Sequence, residues 1–105
     1  MRVEKSWGFE EIIENGEFCC KKLVYTKPIA SSLHYHEKKR EVFVVATGKF
    51  WIEWDTNVST FLPGDYVVLP PGTHHRIRCV EPGFLVESST PDDPKDCVRL
   101  VPSEA

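Results

Sequence analysis

The stretch His34-Tyr35-His36-Glu37-Lys38-Lys39-Arg40-Glu41-Val42-Phe43-Val44-Val45-Ala46-Thr47-Gly48 decides how the rest of the chain is read. Its second half is a run of β-branched and aromatic residues closed by glycine, the composition of a strand that ends in a turn. Its first half sets two histidines at i and i+2, which puts both imidazoles on one face of a strand. Glu41 opens the strand that follows. The spacing predicts strands over Ser32–Tyr35 and Glu41–Thr47, with Lys38-Lys39-Arg40 in the loop between them.

Working outward, the same grammar repeats. Proline and glycine recur at short intervals, as Gly8, Gly16, Pro28, Pro63-Gly64, Pro70-Pro71-Gly72, Pro82-Gly83, Pro91 and Pro94. The runs between them predict strands near Phe18–Tyr25, Lys49–Trp54, Ser59–Leu62, Tyr66–Leu69, His75–Val80, Phe84–Ser89 and Cys97–Val101. Many short strands separated by turn signals indicate a sandwich or barrel. No stretch carries a long helical pattern, and Glu10–Asn15 reads as one helical turn or a further strand. The fold class is therefore all-β, with one domain over residues 1–105 and its barrel over about 18–101.

Composition narrows the function. The 105 residues are 41% hydrophobic and 28% charged, an ordinary globular balance. Thirteen Lys and Arg face sixteen Asp and Glu, a formal net charge of −3. A general nucleic-acid binder needs a basic footprint, and a polybasic membrane anchor needs clustered cations, so the balance weighs against both and neither partner is expected. The longest apolar run, Val42–Ala46, is far short of the ~20 residues that span a bilayer. With no signal-peptide core after Met1, a cytoplasmic location is expected. Cys19, Cys20, Cys79 and Cys97 form no CxxC pair and are expected as free thiols. Several strands are apolar on both faces, as Phe43 and Val45 are on one side and Val42, Val44 and Ala46 on the other. Since a barrel in water needs only one apolar face, a cover is expected from the N-terminal strand, a second sheet or another subunit, with a homodimer favoured.

Chemistry concentrates in three histidines and one glutamate. His34 and His36 share a strand face, Glu41 begins the next strand, and His75 opens another after the Pro70-Pro71-Gly72 turn. Imidazoles with a carboxylate make a mixed nitrogen and oxygen set that suits Mn, Fe, Zn, Ni or Co as a divalent ion. Such donors must sit on rigid neighbouring strands, which a barrel interior provides.

The spacing is that of a known family. His34, His36, Glu41 and Gly48 read H-x-H-x(4)-E-x(6)-G, and Gly64, Pro70, Gly72 and His75 read G-x(5)-P-x-G-x(2)-H. These resemble the two signature motifs of the cupin superfamily, a small β-barrel or jelly roll. The resemblance implies that His34, His36, Glu41 and His75 hold one divalent transition metal. It selects His75 over His74, whose strand parity turns it away. The second motif usually ends in Asn four residues after its histidine, where this chain has Cys79. More narrowly, Lys5-Ser6-Trp7-Gly8, Ser32-Leu33, Gly72-Thr73-His74-His75-Arg76 and Asp96-Cys97-Val98-Arg99 are similar to the cupin domain of type II mannose-6-phosphate isomerases. That family often has Gln at the position of His34 and a fused transferase that this chain lacks.

The resemblance implies a metal-binding protein acting on or binding a small carbohydrate or sugar phosphate, isomerase- or epimerase-like, with a small polar metabolite as its partner. The metal would act as a Lewis acid while a base moves a proton. Glu53, Glu87 and Tyr66 are the candidates for that base. Lys38 and Arg40 at the rim are candidates for binding an anionic substrate. So is Arg76, whose guanidinium suits phosphate although its parity points outward. Two other readings stand beside this one: an Fe(II)- or Mn(II)-dependent dioxygenase, and a non-catalytic small-molecule binder.

Overall fold

Strands fill the intervals between the proline and glycine turns. In the computed structural model, which describes residues 1–105, nine strands follow one another: β1 (Arg2–Lys5), β2 (Gly8–Asn15), β3 (Cys19–Tyr25), β4 (Leu33–His36), β5 (Glu41–Trp54), β6 (Asn57–Phe61), β7 (Tyr66–Leu69), β8 (His75–Ser89) and β9 (Cys97–Val101). A single 3-10 turn at Pro94–Asp96 precedes β9. All pairings are antiparallel and link in the order β1-β2-β3-β8-β4-β9, with β5 paired to β6, β7 and β8. The segment Glu10–Asn15 is thus strand, and the sheet begins at Arg2, well before residue 18. No helix is long and apolar enough to cross a membrane.

Two pairs of predicted strands merge. Residues 41–47 and 49–54 form the single β5, and residues 75–80 and 84–89 form the single β8. The glycines expected to end these strands bend them instead. Gly48 sits at φ +88°, where an L side chain is strained, and the β5–β8 register slips on both sides of it. The bulge reverses the alternation of β5. Glu41, Phe43 and Val45 are buried before it, and Phe50 and Ile52 after it. Gly83 of β8 is pressed against the same bend, where a Cβ would stand 2.2 Å from the Thr47 carbonyl oxygen. Gly83→Ala should therefore destabilise the fold by about 1–3 kcal/mol, since the backbone has no room to yield. The urea midpoint checks this, and an unchanged midpoint would contradict the tight crossing.

The core lies inside the curl of β5 and β8. Phe43, Val45, Phe50, Ile52, Leu69, Ile77 and Leu85 fill it. Trp7, in the β1–β2 turn, closes one end by stacking on Tyr25 at a 4.2 Å centroid distance, and Tyr25 meets Phe50 edge-on at 5.2 Å. The N-terminal strands do not cover an outer face. They extend the sheet along β3, so Val44, Tyr66 and Val68 remain exposed.

Candidate metal centre and cavity

Three strands bring the predicted donors to one cavity of about 510 Å³. Strand β4 carries His34 and His36, β5 begins with Glu41, and β8 begins with His75. Strand β4 lies between β8 and β9, so His34 faces His75 on one side and Arg99 on the other, while His36 faces Cys97. The donor atoms of His36, Glu41 and His75 all lie within 4.8 Å of one another, and Glu41 and His75 are only 3% and 2% exposed. The His34 ring adjoins them, its centroid 4.3 Å from that of His75 and 5.1 Å from that of His36. Its donor atom groups instead with His36 and Cys97 within the same 4.8 Å span. His74 points away, stacked on Tyr35 at 4.6 Å.

The hydrogen bonds fix what these rings offer. His75 Nδ1 is 3.0 Å from the carbonyl oxygen of Thr73, so that neutral ring donates its Nδ1–H there and keeps its lone pair on Nε2, while His34 Nδ1 lies 2.9 Å from Ser32 Oγ and 3.1 Å from the Ser32 carbonyl oxygen. That backbone anchoring is what orients metal-binding histidines in general. His75 Nε2 then faces Glu41 Oε2 at 3.2 Å, and His36 Nε2 faces Glu41 Oε1 at 3.4 Å. His75 Nε2 and His36 Nδ1 are buried with no hydrogen-bond partner. A nitrogen lone pair aimed at a carboxylate oxygen in a dry pocket is costly unless a cation lies between them. The residues present therefore fit a divalent metal ion.

Burial sets the protonation states. It lowers His34 to about 3 and His75 to about 4, and it lowers His36 as well. Neutral imidazole is the form a metal accepts. Unfolded imidazoles titrate near 6.5, so the unfolded chain binds more protons between pH ~6.5 and ~4 and stability falls on acidification through that window. Glu41 works the opposite way. Burial pushes it up to about 7, Glu87 adds to the effect and Lys39 opposes it, so the folded state takes up its proton first. Three histidines outweigh one glutamate, and the thermal midpoint of the metal-stripped protein should be lower at pH 4.5 than at pH 7. A flat or rising midpoint across that range would contradict the neutral cluster.

The candidates for proton transfer separate cleanly. Glu87 is buried in the cavity, where Ser89 Oγ donates to its Oε2 at 2.8 Å. Glu53 is exposed, because the Gly48 bulge places Trp51 and Glu53 in the outward phase of β5. Tyr66 is 66% exposed on the outer face of β7. Neither can reach the cavity.

The expected anion-binding residues are corrected in the same way. Lys38 and Arg40 are exposed and do not line the cavity. Arg76 turns outward, its Nε donating to the Ser31 carbonyl at 2.8 Å. Lys39, between the two exposed cations, turns inward and is only 4% exposed. Asp96 accepts the backbone N–H groups of Glu37, Lys38 and Lys39 and holds the loop in that turn. Lys39 Nζ then lies 2.8 Å from Glu87, 2.9 Å from Asp92 and 3.3 Å from Glu41. Burial pulls the Lys39 pKa down, but the Glu87 and Glu41 charges more than offset it and keep the ammonium charged. Lys21 continues the network, 3.0 Å from Asp92 and 3.7 Å from Glu10. Four cations, Lys5, Lys21, Lys39 and Arg99, thus share the cavity wall with four carboxylates, Glu10, Glu41, Glu87 and Asp92. All four cysteines are free, and Cys97 lines the cavity.

The fold is similar to that of an RmlC-like cupin from Shewanella frigidimarina NCIMB 400, with a TM-score of 0.80 and 22% identity over 90% of this chain and 86% of that one. It is similar to KdgF from Halomonas sp., with a TM-score of 0.76 and 20% identity over 83% of this chain and 81% of that one. Oxalate decarboxylase from Bacillus subtilis matches with a TM-score of 0.81 and 16% identity, over 95% of this chain but 30% of that longer one. No curated protein sequence matches the chain. The cupin domain matches residues 24–87, from the last residues of β3 into the second half of β8, and the chain belongs to the cupin family.

Proposed function

We propose that the protein is a metal-binding cupin that acts on or binds a small carbohydrate or sugar phosphate, in the manner of an isomerase or epimerase. The narrower resemblance to type II mannose-6-phosphate isomerase domains is part of this reading. The observation that carries it is the unpaired approach of His75 Nε2 to Glu41 Oε2 at 3.2 Å in a buried pocket. His34, His36, Glu41 and His75 would hold one ion of Mn, Fe, Zn, Ni or Co. Such an ion supplies Lewis acidity that polarises a sugar carbonyl or hydroxyl oxygen. The cavity volume lies within the usual range for small-molecule sites.

The chain supplies the rest. Glu87 is the one proton-transfer candidate inside the cavity, and its carboxylate would take the proton from a substrate carbon. Lys39, 2.8 Å from Glu87 Oε2, would hold that carboxylate ionised and oriented. Ser89 fixes the same oxygen from the other side. Trp7 and Tyr25 wall the cavity on its apolar side and limit the water around the reacting atoms. A homodimer through the face bearing Val44, Tyr66 and Val68 completes this reading.

The Lys39 ion pair also favours a second reading, a non-catalytic binder, because it commits the single buried base to a structural partner. One experiment separates the two. The metal-loaded protein is offered a panel of aldoses, ketoses and their phosphates, with isomer formation and oxygen uptake both followed. Isomer formation supports the isomerase, and binding without turnover supports the binder. Oxygen uptake coupled to substrate loss would replace both with an oxygenase.

A further inference from the structure

Charge in the cavity is balanced before any ion enters, with four cations against four carboxylates. The balance is not evenly committed. Lys21 and Lys39 hold all four carboxylates in one network of contacts between 2.8 and 3.7 Å. Lys5 and Arg99 have no carboxylate partner within 4.0 Å, whereas Arg78 outside the cavity is paired with Glu104 at 2.7 Å. A divalent ion held by Glu41 and the histidines would leave the cavity two charges positive, and the uncommitted charges are those of Lys5 and Arg99.

Position points the same way. Arg99 pairs across the ladder with His34, and Cys97, two residues earlier, pairs with His36. Alternation puts Cys97 and Arg99 on one face of β9, and both line the cavity. The guanidinium therefore stands beside the histidine cluster on a strand with no further neighbour beyond it. A planar guanidinium takes carboxylate or phosphate through two parallel hydrogen bonds, and a lysine adds a point charge.

We propose that Arg99 and Lys5 form the subsite for an oxyanionic group of the substrate, phosphate or carboxylate, and that they set specificity for an acidic over a neutral sugar. This deepens the function proposed above and rests on it for the metal, although anion binding at Arg99 needs no metal. The role expected of Lys38, Arg40 and Arg76 passes to these two residues.

The test is equilibrium binding, read calorimetrically and by intrinsic tryptophan fluorescence, to wild type, Arg99→Gln, Arg99→Lys and Lys5→Gln. The probes are glucose, glucose 6-phosphate, glucuronate and inorganic phosphate, each with metal-loaded and metal-stripped protein. Wild type should bind glucose 6-phosphate or glucuronate at least about tenfold more tightly than glucose, and the tighter of the two identifies the group. Arg99→Gln should reduce that preference to about threefold or less, with Arg99→Lys intermediate and the metal content unchanged. Arg99 is exposed, so its variants should keep the wild-type thermal midpoint. The proposal is overturned if no anionic probe binds, or if the preference survives in Arg99→Gln combined with Lys5→Gln. If wild type holds no metal yet the anion preference is present and lost in Arg99→Gln, the subsite stands and the metal reading falls.

Discussion

His75→Ala, purified without added metal, is expected to retain at least about tenfold less divalent metal than wild type, and His36→Ala to behave alike. The expectation rests on how these nitrogens are held. His75 Nε2 has no other partner in the fold, and its Nδ1–H is committed to Thr73, so the ring cannot turn to satisfy itself elsewhere. Removing it leaves His34, His36 and Glu41, a remnant whose carboxylate is already contacted by Lys39 at 3.3 Å. A competing internal cation of that kind should displace a weakly held metal. Elemental analysis of the proteins as purified, and again after supplementation with Mn, Fe, Ni, Co and Zn in turn, checks the result. Equal and negligible metal in wild type and both variants would remove the metal centre altogether.

Lys39→Met should cost about 3–5 kcal/mol of folding stability, because it leaves buried carboxylates without their cation. Glu87 and Glu41 are themselves almost fully buried. The neighbouring Lys38→Met is the control and should stay within about 0.5 kcal/mol of wild type, since Lys38 is exposed. Urea denaturation of the two variants side by side reads the difference. Added divalent metal should restore part of the loss in Lys39→Met, because an ion bound to Glu41 in the folded state alone both replaces charge and shifts the equilibrium. Equal midpoints for the two variants would mean that the ammonium adds nothing.

The sequence made the barrel and most of the metal centre legible because both are written locally. Turns need glycine or proline at particular backbone angles, and His34 and His36 share a face by strand parity alone. Lys39 was not legible in that way. A run of three cations reads as solvated, and only the hold of the distant Asp96 on the loop backbone turns the middle one inward. Lys21 left a fainter signal, since it alternates with Cys19, Leu23 and Tyr25 in the buried phase of β3. Arg99 and Cys97 face the site only because β9 returns to pair with β4, a contact between segments more than sixty residues apart that leaves no periodic trace. Glu53 was misleading for the converse reason: nothing local fixed which phase of its strand faced inward.

The bend at Gly48 makes β5 intolerant of changes in length. The half of the strand before the bend presents odd-numbered residues to the interior, and the half after it presents even-numbered ones. Loss of Lys49 alone, with the Gly48 bend kept, would do more than shorten the strand. It would keep Glu41 in place and turn the far half inside out, carrying Phe50 and Ile52 toward solvent and Trp51 and Glu53 toward the core. Relatives that vary in length should therefore take up the change in the exposed turns at residues 16–18 or 26–28. Designed insertions belong there as well, leaving Gly48 and its neighbours untouched.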